Sequence, residues 1–270
     1  MSIHSIIRYA YSKSRLVGKR IWYNYYLKNW VECIKNKGLL KKVRNDLRDD
    51  LNNENPLISV RIATYNRSRL LTERVIPSVL RQTYQNFEII IVGDHCTDDT
   101  EKLLERFNDE RIKFFNLPER GKYPMNPYDR WLVAGTVPAN KAIELSSGEW
   151  IAPLDDDDEF SENHLEILLN YALKNNYEMV YGVVEMEREP GKWVNLGSYP
   201  LKRGKISHIS ALYHSKLNFF KYDINAWKYI EPDDWYMWKR MKEAGVKIGF
   251  IDQVVGKHYL ETPQRGFKND

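Results

Sequence analysis

A chain of 270 residues can hold one large domain, or a domain with an appendage, and 43% hydrophobic with 29% charged residues is the make-up of an ordinary soluble globular protein. Two cysteines, Cys33 and Cys96, supply neither a disulfide framework nor a zinc-ligand spacing. With no signal peptide and no apolar run near the roughly 18 residues a span needs, the expected compartment is the cytoplasm.

The net charge of +4 is unevenly spread. Residues 1–48 carry twelve Lys or Arg against Glu32 and Asp46, which leaves 29 basic and 35 acidic residues for the remainder. Residues 1–50 read as helical, with Ile3, Ile6, Ile7 and Tyr11 followed by Arg15, Lys19 and Arg20, and residues 21–31 (IWYNYYLKNWV) are apolar or aromatic on more than one face. Such a segment suits a membrane interface, where Trp and Tyr rings settle at headgroup depth. It equally suits a helical pair packed on the main domain with its lysines solvated. No recognition motif accompanies the charge, which argues against nucleic acid. The polar stretch 49–56 (DDLNNENP) marks a boundary, dividing an extension, 1–55, from a main domain, 56–270.

From residue 57 the pattern changes. Residues 57–63 (LISVRIA) predict a buried strand, followed by the turn Thr64-Tyr65-Asn66-Arg67 and a helix over about 68–82. Residues 87–92 (FEIIIV) predict a second strand ending in Gly93-Asp94-His95-Cys96, after which Thr97 or Asp98 caps a helix to about residue 107. A third strand falls near 111–115. Strand, helix, strand, helix, strand is the signature of a parallel sheet in an α/β domain. The long segment 116–137, with Arg120, Lys122 and Trp131, is of a length that points to function, and its aromatics argue against disorder. A helix over 138–147 leads into a fourth strand that ends in four consecutive aspartates, Asp155 to Asp158. Beyond it lie a helix to about residue 175, a hairpin around Pro190-Gly191, a segment carrying His208 and His214, a helix opened by Pro232-Asp233-Asp234, a strand over 247–252, and His258.

Three polar clusters therefore follow strand ends, at 64–67, 94–95 and 155–158, where ligands of open α/β sheets bind. Four adjacent carboxylates repel one another unless solvated or neutralised, and they suit a hard cation such as Mg²⁺, Mn²⁺ or Ca²⁺. A solvated acidic turn is the plainer alternative. Neither G-x-G-x-x-G nor G-x-x-x-x-G-K-[ST] is present, which excludes those glycine-rich phosphate loops. Asp155, Asp157, Glu159 and Glu166 fall at positions 1, 3, 5 and 12 of an EF-hand loop, but Phe160 stands at position 6, where that loop needs Gly, and a strand precedes the cluster.

With these pieces in order, residues of about 57–260 resemble a family 2 glycosyltransferase, the inverting nucleotide-sugar enzymes of GT-A fold. Residues 60–67 (VRIATYNR) resemble the family's opening strand and nucleotide-binding turn. Residues 92–100 (VGDHCTDDT) are similar to its V-D-D-G-S-T-D-D-T, with Gly93 in place of the first Asp and Asp94 retaining the second. Ala139-Asn140-Lys141-Ala142 and residues 148–158 (GEWIAPLDDDD) resemble the segment leading into the D-x-D motif. Asp233-Asp234 through Trp238 and Arg240 look like the late acidic motif, E-D followed by W-x-R.

The resemblance implies an α/β, Rossmann-like mixed and mostly parallel central sheet flanked by helices, preceded by the basic helical extension. It implies a nucleoside-diphosphate sugar donor (UDP, GDP or dTDP), a divalent metal (Mn or Mg), and a glycan or lipid-linked acceptor in cell-surface polysaccharide or lipid-linked glycan synthesis. The enzyme would be cytoplasmic, and peripheral at the inner face of the cell membrane if residues 1–48 bind lipid. Thr64, Tyr65, Asn66, Arg67, Asp94, Asp155 and Asp156 are expected at the nucleotide, Asp157 and Asp155 at the metal with His258 as a further candidate, and Asp234 as the catalytic base. Asp233, Trp235, His208 and His214 are candidates for the acceptor pocket.

The chemistry is consistent with that assignment. A diphosphate leaving group needs its charge neutralised, and carboxylates hold the cation that does so. Inversion is a single displacement in which a base takes the acceptor proton. The alternatives at single residues are a helix cap for Asp94, dipole complementation for Asp233 and Asp234, and a structural role for His258. The competing functions are a nucleotidyl- or phosphoryl-transferase with the same metal site, which releases pyrophosphate or phosphate, and a catalytically inactive nucleotide-binding scaffold.

Overall fold

The computed structural model describes residues 15–260, with side chains from residue 25 onward; the helical expectation for Ile3, Ile6, Ile7 and Tyr11 lies outside the described residues. Four parallel strands, β1 (Ile58–Thr64), β2 (Phe87–Gly93), β3 (Ile112–Asn116) and β4 (Trp150–Asp155), are ordered β3-β2-β1-β4. Every residue of β2 is buried, as expected of a Val/Ile run covered on both faces of a parallel sheet. Beyond β4 the sheet continues through β8 (Ala211–His214), β6 (Met179–Glu189), β9 (Ile248–His258) and β5 (Glu159–Phe160), with β7 (Lys192–Leu196) paired to β6. β8 runs antiparallel to both β4 and β6, whereas β9 is parallel to β6.

The register sets Thr64 opposite Gly93 and Ala63 opposite Asp155. The carboxyl ends of β2, β1 and β4, with the polar clusters that follow them, therefore lie side by side along one sheet edge. The first crossover helix, α2, covers 68–80 and contains Pro77. Proline lacks the N–H a helix needs, and its ring clashes with the carbonyl four residues earlier. The helix widens into a π-type turn over Leu71–Val75, and the Ile76 N–H donates to the Leu71 carbonyl. The remaining helices are α3 (Thr100–Leu104), α4 (Pro127–Trp131), α5 (Thr136–Leu145), α6 (His164–Asn175) and α7 (Asp233–Ala244).

The N-terminal part of the described chain is one continuous helix, α1 (Arg15–Asp50), in place of a helical pair. Its C-terminal half enters the main core: Leu40, Leu47 and Leu51 are buried with strand and helix residues of the sheet domain. Arg44 forks onto buried Glu178 with bonds of 2.7 and 2.9 Å, and the second Glu178 oxygen also accepts the Lys247 N–H. Bidentate geometry of this kind fixes orientation as well as supplying energy. Nearer the N-terminus, Lys28 pairs with Asp223 at 2.9 Å, and the Tyr236 hydroxyl lies 3.0 Å from Asn29 and 3.1 Å from Glu32. No helix among the described residues is long and apolar enough to cross a membrane.

Candidate functional site

The first corner of the site is built by β1 and β2. The Asp94 N–H donates to the Thr64 carbonyl at 2.8 Å, which ties the two strand ends together. The buried Asp94 carboxylate accepts the Gly121 N–H at 2.8 Å and lies 3.7 Å from the Arg120 guanidinium, which stacks on Tyr65 at 3.6 Å from the ring centroid. Asp94 thus caps no helix; Asp98 does the local capping, accepting from the N–H groups of Thr100 and Ser68. A Cβ at Gly93 would meet the Asn116 side-chain oxygen at 2.6 Å. The Asn116 amide instead fills that space and bonds both the N–H and the carbonyl of Cys96, holding the turn that aims Asp94.

The four aspartates divide by environment. Asp155 accepts from His208 Nδ1 at 2.7 Å, and although burial opposes its charge, His208, His258 and Arg61 hold its carboxyl down at about 2. Burial pushes Asp156 up to about 6 against the pull of Arg67, which lies 3.3 Å away. Asp157 pairs with the Arg67 guanidinium, while its carbonyl accepts from Arg74 at 2.6 Å; burial, with Asp158 and Asp156 alongside, raises its carboxyl well above the ordinary range. Asp158 is fully buried, bonded to His258 Nδ1 at 2.7 Å and to the Tyr259 N–H at 2.9 Å. Burial opposes the charge on His258, but Asp158, Asp155 and Asp157 raise it to about 9.

Potential ligand atoms of Asp155, Asp158 and His258 lie within 4.8 Å of one another. Two carboxylate oxygens and one imidazole nitrogen, once binding displaces the imidazole proton, form a donor set that suits a divalent cation such as Mn²⁺. His258 reaches the cluster because β9 ends there, and β9 pairs antiparallel with β5, the short strand directly after the aspartates. Asp158 was not among the residues expected at the metal. Its complete burial beside a histidine one hundred positions away has no local sequence signal.

Behind Asp155, His208, expected at the acceptor pocket, opens a chain through Arg61 and Tyr222, two residues that the sequence did not single out for a role. His208 Nε2 lies 2.8 Å from Arg61 Nη2 and 3.1 Å from the Tyr222 hydroxyl. Arg61, in the middle of β1, is fully buried, donates to the Tyr222 hydroxyl, and stacks over that ring at 4.6 Å. Tyr222 is fixed in turn by Asn140 of α5, whose amide bonds both the N–H and the carbonyl of Tyr222 at 2.9 Å. The Asn140 motif was visible in the sequence; its partner was not.

The last corner is the start of α7, where Pro232 precedes Asp233 and Asp234. The Asp233 N–H donates to Leu132, and its carboxyl, pushed up to about 7 by burial and by Asp234, meets the Thr136 hydroxyl. That hydroxyl also lies 2.7 Å from the Val133 carbonyl, so Asp233 faces back into the protein. The Asp234 carboxylate accepts the Trp235 N–H, its own N–H donates to Asp233, and burial raises its pKa against the pull of His208 and His258. Trp235 is half-buried against the main core, Trp238 is fully buried, and Arg240 bonds the Lys221 carbonyl, so the later residues of this motif anchor α7.

Most of the expected site residues thus meet along one edge of the sheet, including Thr64, Tyr65, Arg67 and Asp94 with Asp155 to Asp158, His208, Asp234 and His258. Asn66 stands in the first turn with φ 51° and bonds Thr97 at 2.8 Å. His214 does not join them. It is fully buried in β8 opposite Trp150, at the other end of β4, because the strand that follows His208 carries it away from the aspartates.

The model of Glycosyl transferase family 2 matches residues 59–124 and 138–233, which bracket all three strand-end clusters and reach Asp233. The UDP-Glc:alpha-D-GlcNAc-diphosphoundecaprenol beta-1,3-glucosyltransferase of Escherichia coli is 28% identical over 207 residues, covering 72% of this chain and 75% of that protein. Of several other curated relatives the chain spans less than half the length, in one case 19%. Among solved structures, TarS of S. aureus in complex with UDP-GlcNAc superimposes with a TM-score of 0.59 at 18% identity, covering 76% of this chain and 58% of that one. Mannosyltransferase PcManGT from Pyrobaculum calidifontis, in complex with GDP-Man and Mn²⁺, does so with a TM-score of 0.57 at 15% identity, over 88% of this chain and 69% of that one. The sheet order, the edge on which the carboxylates gather and these likenesses agree on the GT-A fold, and the chain belongs to glycosyl transferase family 2.

Proposed function

We propose that this chain is an inverting, metal-dependent glycosyltransferase that moves a sugar from a nucleoside-diphosphate sugar to a hydroxyl of a lipid-linked glycan at a membrane surface. The observation that carries this reading is the meeting of three chemistries at one sheet edge. They are a stacking ring beside a buried carboxylate (Tyr65 and Asp94), an oxygen–nitrogen donor set (Asp155, Asp158 and His258), and a carboxylate free of strong internal partners (Asp234). The Escherichia coli relative is named for a UDP-Glc donor and an undecaprenol-linked acceptor, and PcManGT was solved with GDP-Man and Mn²⁺, which supports the donor, the metal and the acceptor class.

In this reading Asp94 accepts from the base N–H once Arg120 yields its place on Tyr65. Asp155, Asp158 and His258 would hold the divalent cation, with Asp157 adjoining and paired to Arg67. A bound cation would neutralise the diphosphate leaving group. Arg67 holds Asp156 and Asp157 in place and limits the repulsion that four aspartates exert on a diphosphate. Asp234 takes the proton of the attacking hydroxyl; burial raises its pKa above the ordinary carboxylate value, which strengthens it as a base, while the dipole of α7 favours its ionised form. Asp233, turned toward Thr136, positions the start of that helix.

Asp234→Asn tests the assignment, since it removes the base with little change of volume. Transfer is expected to fall by about 10²–10⁴-fold, the usual contribution of a general base. Stabilisation of the protein by UDP- or GDP-sugars with Mn²⁺ should persist. Wild-type turnover in this variant, or an equal loss of nucleotide binding, would defeat the reading.

A further inference from the structure

Resting on the reading of the site as one that acts on a lipid-linked acceptor, the geometry points to the surface that seats the protein on an anionic bilayer: the outward face of α1 around Trp30, joined by α4. Leu27, Trp30, Val31 and Ile34 are all exposed, Trp30 by 63% and Ile34 by 52%. Their spacing of three, four and seven residues places them on one stripe of the helix. The opposite face is engaged, through Lys28 with Asp223, Asn29 and Glu32 with Tyr236, and Leu40 in the core. The stripe is the side of α1 that the folded domain leaves uncovered.

Charge selects the occupant. One turn further along α1 the exposed residues become basic, with Lys35, Lys37, Lys41 and Lys42 all exposed. Apolar and aromatic side chains beside a lysine collar match a boundary that offers hydrocarbon and phosphate together. A neutral partner surface would leave that collar unused.

A second patch lies on the same small cluster. Tyr128 and Trp131 of α4 are exposed, with ring centroids 6.2 Å apart, while the adjacent Leu132 and Val133 turn inward. Those two residues pack with Ala226 and Tyr236, and Tyr25 of α1 packs against the same cluster. Tyr236 belongs to the first turn of α7, two residues beyond Asp234. One apolar cluster therefore ties α1, through Tyr25, and α4, through Leu132, to the helix start that carries the proposed base. A protein seated on this face holds Asp234 at a fixed position relative to the bilayer, where an acceptor anchored by its lipid can present its sugar.

The test uses the full chain and flotation with vesicles of phosphatidylcholine alone or mixed with phosphatidylglycerol. Wild-type protein should float with the anionic vesicles. Trp30→Glu/Ile34→Glu and Lys37→Glu/Lys41→Glu should each lose about tenfold or more of that binding. Because these side chains are exposed, thermal midpoints and transfer to a water-soluble acceptor should be retained. Undiminished vesicle binding by the Trp30/Ile34 variant overturns the inference. So does a wild-type dimer that ignores vesicles and that this variant converts to monomer, since the face would then be a self-association surface. Lost vesicle binding in a protein that transfers no sugar to any acceptor supports the docking face while removing the proposed reaction.

Discussion

His208 has neighbours that decide its protonation pattern. Arginine can only donate, so Arg61 at 2.8 Å makes His208 Nε2 an acceptor and leaves the proton on Nδ1, directed at Asp155. Burial opposes the Arg61 charge, and Tyr213, Asp155 and Asp233 support it beside the bonds to His208 and Tyr222. Arg61→Met, which keeps much of the volume, should lower the thermal midpoint, because it leaves His208 Nε2 and the Tyr222 hydroxyl without their buried donor. Mn²⁺ affinity and transfer should fall by about 10–100-fold, as when other groups that orient a metal ligand are removed. Unaltered affinity and turnover in that variant would show that the chain from Asn140 through Tyr222 to His208 orients nothing. A second residue-scale effect lies far from the site. His164 is fully buried, stacked on Phe160 at 3.6 Å, and donates through Nδ1 to the Val255 carbonyl, while burial lowers its pKa to about 3. Since the folded value lies below the unfolded value of about 6.5, stability is unaffected above that pH and declines as pH falls from there toward 3. The slope is about 1.4 kcal/mol per pH unit for this one group. Because Asp156, Asp233 and His258 titrate over the same range with the opposite sign, the comparison with His164→Gln, which keeps a donor, isolates the effect: wild type should lose urea midpoint relative to the variant between pH 7.5 and pH 5, and an unchanged difference would assign no acid sensitivity to His164.

At the scale of elements, the legible parts were those whose signal is local. β1, β2 and β4 are short apolar runs that end in turn residues, and all lie where the pattern placed them. The helix over 68–80 was legible too, although its widened turn follows from Pro77 and needed the backbone to be seen. What could not be read was pairing between distant segments. His208 and His214 look alike in sequence, yet β8 separates them, one against Asp155 and the other against Trp150. Asp158 and His258 meet only because β5 pairs with β9. α1 illustrates the same limit. Its basic, aromatic composition left open whether it packs or faces lipid, and the structure shows Leu40, Leu47 and Leu51 on an inward stripe that the surrounding lysines obscure. Leu47 is fully buried, so Leu47→Ala should destabilise the whole domain by about 2–5 kcal/mol through lost burial and the cavity left behind. Denaturant titration measures this; a change within about 0.5 kcal/mol would mean that α1 is dispensable to the core.

Over the whole molecule the charges are arranged in opposition. The helix α1 presents lysines outward, while the carboxyl ends of β1, β2 and β4 gather Asp94 and Asp155 to Asp158, and the start of α7 adds Asp233 and Asp234. A nucleoside diphosphate entering that edge brings further negative charge, and the cations there are already engaged: Arg67 with Asp156 and Asp157, Arg61 with His208 and Tyr222, Arg120 with Asp94, and His258 with Asp158. Nucleotide and divalent cation should therefore bind with positive coupling, each raising the affinity for the other by the same factor. A ligand present at about 100 times its Kd stabilises the native state by about 2.7 kcal/mol. For a domain of this size that corresponds to a rise of roughly 5–11 °C in the thermal midpoint. UDP or GDP with Mn²⁺ should reach that range, whereas either nucleotide with a chelator should give little. His258→Gln removes one nitrogen donor from the set and relieves Asp158 of its partner. It should reduce the Mn²⁺-dependent part of the shift, a readout independent of turnover, and should lower the midpoint of the ligand-free protein because buried Asp158 loses its charged partner. If nucleotide with chelator stabilises wild type as strongly as nucleotide with Mn²⁺, the acidic edge holds its ligand without a cation and the electrostatic account of this site is wrong.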